Sequence, residues 1–274
     1  MATFSVSRKP ILGILNLMPN KEKTEQQWLR LIGTQTAHFN VQFITTQSYT
    51  SKLTDANYLK EKYHRGLPKQ LDALIVTGAA FGKINYSEVL YWQELTEIMD
   101  TTAAQGIPVF YSCWAANAAL FHKFGIPRVQ YENKVSGVFP HRVEPHALTR
   151  KLPRISELPH SRYSESSLAL VLQHPELNVL LQSAQAGAAF LTDQRKNAYL
   201  LAHPEYEIDT LYQEYLRDCS RGLKAERPLN DPFSANPGMA KKEPHWQQHG
   251  SLLLTNWLNL VLTGSLYRLL NISN

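Results

Sequence analysis

Three residues set far apart in the chain have the types and settings of a nucleophile, its base and the base's partner: Cys113, His203 and Glu205. Cys113 follows the apolar run Val109-Phe110-Tyr111-Ser112. It precedes an alanine-rich stretch that stops at Gly125 with Pro127 just beyond. That order reads as a buried strand, a sharp turn and a helix with a glycine stop. A cysteine at such a turn has its sulfur pushed out at the top of the sheet. It also meets the unpaired N–H groups of a helix N-terminus, which favour a thiolate. His203 ends the apolar run Ala198 to Ala202, and Pro204 stiffens the link to Glu205, so imidazole and carboxylate can point to one side. Glu205 would then fix the tautomer and leave the other ring nitrogen to face Cys113. A free cysteine is by default a small core hydrophobe, and a His-Pro turn at a strand end is common. The pair, in that chain order, is far more specific than either part. Acyl chemistry also needs an oxyanion hole. The N–H of Trp114 is the natural first donor, and the small-residue loop Gly78 to Gly82 can bring a second, assigned to the backbone of Phe81.

These groups need strands whose carboxyl ends lie side by side. Ile11 to Leu15, Val41 to Thr45, Leu71 to Thr77 and Val109 to Ser112 alternate with helical stretches, which implies βαβ units, a mostly parallel sheet flanked by helices and right-handed crossovers. Ligands bind such sheets beyond the carboxyl ends of the strands. Helices are predicted after Thr24, whose spacing to Gln27 is that of a capping box, and over Ser87 to Ala104, opened by Asn85 and Glu88. Lys52 to Gln70 reads as a loop with a short helix. The second half carries short strands, some antiparallel: Lys134 to Phe139, Leu177 to Ser183, Ala188 to Thr192 and Asn197 to Ala202. A helix over Thr210 to Arg221 opens with Thr210 and Gln213. Lys224 to Lys242 reads as a long surface loop, and Trp246 to Thr263 as a last helix. Cys219, Tyr212 and Leu216 share one helical face, which places Cys219 in the core. No boundary divides the 274 residues, so one α/β domain is expected.

Composition narrows the function classes. At 43% hydrophobic and 19% charged residues, the chain can build a sizeable core. A net charge of +5 without a dense basic run excludes a nucleic-acid groove and suits a small anionic ligand. The longest apolar stretch, Leu252 to Leu262, is too short and too polar to span a bilayer. Two cysteines and no signal-like segment predict the reducing cytoplasm. No Cys/His spacing suggests a metal: His245 and His249 are four apart but lack an HExxH pattern. The glycine loop has neither GxGxxG nor a Walker lysine, against a nucleotide cradle.

Read together, the motifs resemble the homoserine O-acyltransferase family of methionine biosynthesis, the succinyl- and acetyltransferases with a class I glutamine-amidotransferase-like fold. The resemblance rests on Ile14-Leu15-Asn16-Leu17-Met18-Pro19, Val76-Thr77-Gly78-Ala79, Tyr91-Trp92, Cys113-Trp114-Ala115, Gly125-Ile126-Pro127 and Lys134-Val135-Ser136-Gly137-Val138. It continues through Pro159-His160-Ser161-Arg162-Tyr163, His203-Pro204-Glu205-Tyr206, Arg217-Asp218 and Thr255-Asn256-Trp257-Leu258-Asn259. It implies that Cys113 carries the acyl group as a thioester, that His203 is the general base and Glu205 its partner, and that Lys134, Ser161 and Arg217 hold the amino acid. By periodicity alone Arg217 would be a solvated charge. Gly82 matches the position that sets acyl preference: glycine goes with succinyl-CoA, whereas a glutamate, which crowds and repels the succinyl carboxylate, goes with acetyl-CoA. The implied co-substrate is acyl-CoA, with no bound cofactor and with small molecules as the partners. The family's usual N-terminal arm is nearly absent before Ile11, which leaves a homodimer as an open expectation. Thr45 to Tyr49 and Arg150 to Leu158 also depart from the family pattern.

The activity expected is a ping-pong transfer of an acyl group from acyl-CoA to homoserine. Serine O-acetyltransfer by the same machinery is the near alternative, because the two acceptors differ by one methylene, worth only ~1–3 kcal/mol of discrimination. A glutamine amidotransferase or amidase is a further alternative. Against it, Tyr111 and Ala115 stand where amidotransferases usually place glycines. A binding protein that merely kept the fold is disfavoured by retention of the triad together with Lys134, Ser161 and Arg217.

Overall fold

The computed structural model describes residues 8–236 and 244–271, with side chains placed as far as residue 263. The apolar runs of the first half become short parallel strands: β1 (Ile11–Leu15), β2 (Asn40–Thr45), β4 (Ala73–Val76) and β5 (Val109–Ser112). A three-residue edge strand, β3 (Tyr63–Arg65), lies in the segment predicted as loop, directly after the short helix α2 (Ala56–Lys62). The second half supplies β6 (Arg128–Val143), β7 (Ile155–Ser166), β8 (Leu177–Ser183), β9 (Gly187–Asp193) and β10 (Ala198–Leu200). All ten join one sheet in the order β3-β2-β1-β4-β5-β10-β9-β8-β6-β7. From β3 to β10 the neighbours are parallel, and from β10 onward they are antiparallel.

Helices cover both faces. On one, α1 (Lys21–Ile32) and α8 (His245–Asn271) pack Trp28, Leu31, Leu254 and Trp257 against Leu12, Ile14 and Phe110. On the other, α3 (Trp92–Ala104) and α4 (Trp114–Phe124) pack Leu95, Met99 and Ala118 against Leu15, Leu74, Val76 and Tyr111. The central strands are buried on both faces, which is why they read as continuous apolar runs. Each fully buried Leu, Ile or Phe contributes about 1.5–3 kcal/mol.

Several helix starts differ from the sequence reading. The cap of α1 is Asn20, whose side chain accepts from the Lys23 N–H at 3.2 Å, and Thr24 already lies inside the helix. The Asn85–Glu88 capping box forms, but it opens a 3₁₀ turn (Tyr86–Glu88), and α3 begins only at Trp92. The helix α6 (Thr210–Ser220) starts from Asp209, so the Thr210–Gln213 box is not made. Within the expected surface loop, α7 (Pro232–Ala235) forms and Leu229 bridges Gly137. Residues 237–243 lie outside the described residues.

The largest difference is β6 and β7. A short strand was expected over Lys134 to Phe139, and none over Ile155 to Ser166. The observed pair is a long antiparallel ribbon with an irregularity between Gln130 and Val135. β7 is buried at every second residue, but those residues are Ser156, Leu158, His160, Arg162, Ser164 and Ser166. A strand whose inward positions are polar has no hydrophobic alternation to reveal it.

Candidate active site

The pairing of β5 with β10 creates the centre of the site. Ser112 lies opposite Leu200, so the two strands end together and Cys113 and His203 leave the sheet side by side. Cys113 sits on the turn before α4 with φ 47° and ψ −110°, a strained backbone for a residue bearing a side chain. The strain is held from both sides. The Cys113 N–H donates to the Leu200 carbonyl at 2.6 Å, and the Cys113 carbonyl accepts from the Asn117 N–H and side-chain amide, each at 3.1 Å. A Cβ on Gly78 would lie 3.4 Å from the Cys113 Cβ, so the loop after β4 approaches Cys113 closely because it carries no side chain there.

His203 and Glu205 are both buried. The His203 N–H donates to the Pro159 carbonyl at 2.8 Å, which ties the histidine to β7. Its Nδ1–H donates to Glu205 Oε1 at 2.7 Å. The Tyr206 ring stacks on the imidazole at 4.4 Å. Burial opposes charge on His203, but the Cys113 sulfur and the Glu205 carboxylate outweigh it and hold the imidazole well above its ordinary range. The imidazole is also hydrogen-bonded to Cys113, so base and sulfur are in direct contact.

The oxyanion donors need one correction. Trp114 is the first residue of α4, and its N–H has no acceptor among the described residues, as expected at a helix N-terminus. Phe81 does not serve in the same way. Its N–H donates to the Ala79 carbonyl at 3.0 Å, and its ring packs on Tyr91 and Trp114, away from the cavity. The tight turn at Ala79–Phe81 leaves Gly78, Ala79 and Ala80 facing Cys113 instead.

Lys134, Ser161 and Arg217 come from β6, β7 and α6, and all three reach the same cavity, of about 350 Å³. They meet on two carboxylates that sequence reasoning did not single out. Glu214 accepts from Lys134 Nζ at 2.9 Å, from the Tyr206 hydroxyl at 2.9 Å and from the Ser161 hydroxyl. Asp218 accepts from Lys134 Nζ at 3.1 Å and from two nitrogens of Arg217 at 3.0 and 2.8 Å. Burial alone would raise both carboxyls, but Lys134 and Ser161 hold Glu214 below its usual value, and Arg217 and Lys134 do the same for Asp218. The missed signal was spacing: Glu214, Arg217 and Asp218 stand at i, i+3 and i+4, on one face of α6. That face turns toward the cavity. Cys219 is therefore exposed rather than core, and Leu216 is 43% exposed. Gly82 borders the cavity opposite these groups, and a Cβ there would lie 3.4 Å from the Tyr163 ring.

The family model for homoserine O-succinyltransferase matches residues 5–266. The chain belongs to the homoserine O-succinyltransferase family. The homoserine O-succinyltransferase of Shewanella woodyi is 42% identical over 254 residues, covering 90% of this chain and 80% of that protein. The enzyme of the same name from Shewanella halifaxensis is 40% identical over 252 residues, with the same shares covered. Among solved structures, a glutamine amidotransferase from Thermotoga maritima superposes with a TM-score of 0.63 at 11% identity, covering 91% of this chain and 98% of that one. A glutamine amidotransferase from Methylobacillus flagellatus gives 0.62 at 13% identity, covering 92% and 95%. The fold is thus amidotransferase-like, while family membership marks the protein as an acyltransferase. Among the described residues, no helix is long and apolar enough to cross a membrane, and no group of three or more His, Cys, Asp or Glu side chains is placed to hold a metal ion.

Proposed function

We propose that the protein transfers a succinyl group from succinyl-CoA to the hydroxyl of L-homoserine through an acyl-Cys113 intermediate, as a step of methionine biosynthesis. The observation that carries the reading is that the strained Cys113 and the polar wall of Lys134, Ser161, Glu214 and Arg217 open into one cavity.

In the first half-reaction the Cys113 thiolate attacks the thioester carbonyl. The oxyanion is received by the N–H of Trp114 and by that of Ala79, which replaces Phe81 as the second donor. CoA leaves as the C–S bond breaks, and the His203 imidazolium gives the departing sulfur its proton. Acylation removes the negative charge at Cys113 that held that proton. The neutral imidazole that remains can then take the proton from the homoserine hydroxyl as that oxygen attacks the acyl-cysteine. Collapse expels the Cys113 thiolate and restores the ion pair. Homoserine is a zwitterion, and the polar wall has matching parts: Arg217, Lys134 and Ser161 for the α-carboxylate, Glu214 for the α-ammonium. Fixing both ends aims the hydroxyl and lets it outcompete water. Gly82 leaves room beside Tyr163 for the distal end of a succinyl group.

The test is a substrate matrix of homoserine or serine against succinyl-CoA or acetyl-CoA, compared by kcat/KM, together with intact mass after incubation with each donor alone. Homoserine with succinyl-CoA should lead, and the protein should gain the mass of one succinyl group, lost on Cys113→Ala. Preference for serine or acetyl-CoA would reassign the substrates. A Cys113→Ala variant that still transfers would remove the covalent mechanism.

A further inference from the structure

Behind the cavity wall lie two imidazoles that the chemistry above does not use, His141 on β6 and His160 on β7, both fully buried. We propose that this pair is a positioning device: a one-directional chain of neutral histidines that locks the segment Pro159 to Arg162, against which His203 and the amino-acid wall are set. The proposal rests on the reading of Cys113 and His203 as the reacting pair.

The hydrogen bonds allow one arrangement of protons. An arginine can only donate, so where Arg162 Nη1 meets His160 Nδ1, that nitrogen accepts. A neutral ring accepting at Nδ1 carries its hydrogen on Nε2. That N–H points at His141 Nε2, 2.9 Å away, which must therefore accept. His141 then carries its hydrogen on Nδ1, where the Ser156 carbonyl stands at 3.3 Å. Each ring N–H of the pair finds an acceptor, and both rings are uncharged. A proton on either ring would set two N–H groups against each other, or one against the guanidinium. Burial and the nearby Arg162 charge hold both histidines in this state. His141 is pushed down to about 4, and His160 lies well below its ordinary range.

The chain ends where the site begins. On one side of His160, the Pro159 carbonyl receives the His203 N–H. On the other, Ser161 donates to Glu214, and Arg162, only 6% exposed, borders the cavity while also bonding Glu165 and the Ala186 carbonyl at 2.5 Å. The neighbouring inward residues Phe139 and Leu158 are apolar, so filling this space does not need imidazoles. Directional bonds do need them: an apolar side chain at 141 would fill the volume and leave the His160 N–H without an acceptor.

The test compares His141→Gln with His141→Leu. Glutamine offers a carbonyl oxygen to His160 and an amide N–H to Ser156, as the neutral histidine does, whereas leucine offers neither. Steady-state rates are measured well below each variant's melting temperature and divided by the amount of Cys113 thiol, told apart from the exposed Cys219 by peptide mass after labelling. The Leu variant should lose about 10–100-fold in kcat, with little change in donor KM, and the Gln variant should stay within about threefold of wild type. A Leu variant equal to wild type per titrated thiol, or a folded Gln variant with a Leu-sized loss or more, would overturn the proposal. If Leu does not fold, a Gln variant that loses about 10-fold or more overturns it by itself. Alkylation of Cys113 by iodoacetamide, with no substrate present, reads the His203–Cys113 pair independently. It should slow in the Leu variant and recover in the Gln variant. It also separates the two readings, since loss of all acyl transfer in wild type would overturn the proposed function while this pattern of alkylation stood.

Discussion

Cys113 and Glu205 both raise the affinity of His203 for a proton, and the proposed acylation would change the first of them. In the proposed mechanism that dependence turns the group from acid to base once Cys113 is acylated. Glu205→Gln removes the second anion and frees the ring to adopt the wrong tautomer. The expected result is a kcat lower by on the order of 10³–10⁴, with the acid limb of the kcat profile moved to lower pH, read by steady-state rates across pH. Glu214 has a different part. Glu214→Gln keeps the shape but removes the charge proposed to face the substrate ammonium. The amino-acid KM should rise by about 10–100-fold, while the rate of acylation by the donor alone stays near wild type, as followed by stopped mass measurement. Gly82 is the proposed determinant of donor choice. A glutamate there starts 3.4 Å from the Tyr163 ring, on the lining of the cavity. Gly82→Glu should lower kcat/KM for succinyl-CoA by about 100-fold relative to acetyl-CoA, and an unchanged ratio would place acyl choice elsewhere.

At the scale of elements, the site is an intersection of strand ends and one helix face. β5 and β10 bring Cys113 and His203 together, the loop after β4 borders them, and α6 closes the far side of the cavity with Glu214, Arg217 and Asp218. The β6–β7 ribbon is clamped by the strand-like segment at Leu229, whose N–H and carbonyl bond to Ser136 and Val138. That contact passes directly over Gly137, where φ is 155° and an added Cβ would lie 2.4 Å from the Leu229 carbonyl oxygen. Gly137→Ala must push the segment away and should cost about 2–3 kcal/mol, measured as a lower urea midpoint. An unchanged midpoint would show that the clamp is not needed. Arg128 acts on the covering loop: its guanidinium donates to the Phe81 and Ile84 carbonyls at 3.3 and 2.6 Å and lies 4.2 Å over the Tyr86 ring. The first-half strands and the Cys113 elbow were legible because their apolar runs and glycine stops are local signals. β7 was not, because apart from Leu158 and Pro159 its buried positions are histidine, arginine and serine.

Over the whole molecule, the buried histidines couple the site to stability. His141 binds a proton at about 4 when folded and near its ordinary 6.5 when unfolded. Its folded affinity is depressed, so the unfolded chain takes up more protons in acid. Stability is therefore greatest above pH 6.5 and falls as pH drops from there toward 4. The melting temperature should fall by on the order of 5–10 °C between about pH 7 and pH 4.5, and less steeply in His141→Gln, which has no proton to take up there. The sequence by itself determined the parallel half of the sheet, the strand–Cys113–helix turn, the His203-Pro204-Glu205 unit and the family, because each is written in residues close along the chain. Only the tertiary structure decided that Lys134, Ser161 and Arg217 meet on Glu214 and Asp218, that Phe81 turns its N–H away from Cys113, and that His141 and His160 join behind the wall. Those outcomes depend on which strand lies beside which and on the face each helix turns inward. Such pairings are set by long-range burial and hydrogen bonding, for which the linear order of residues carries no local mark.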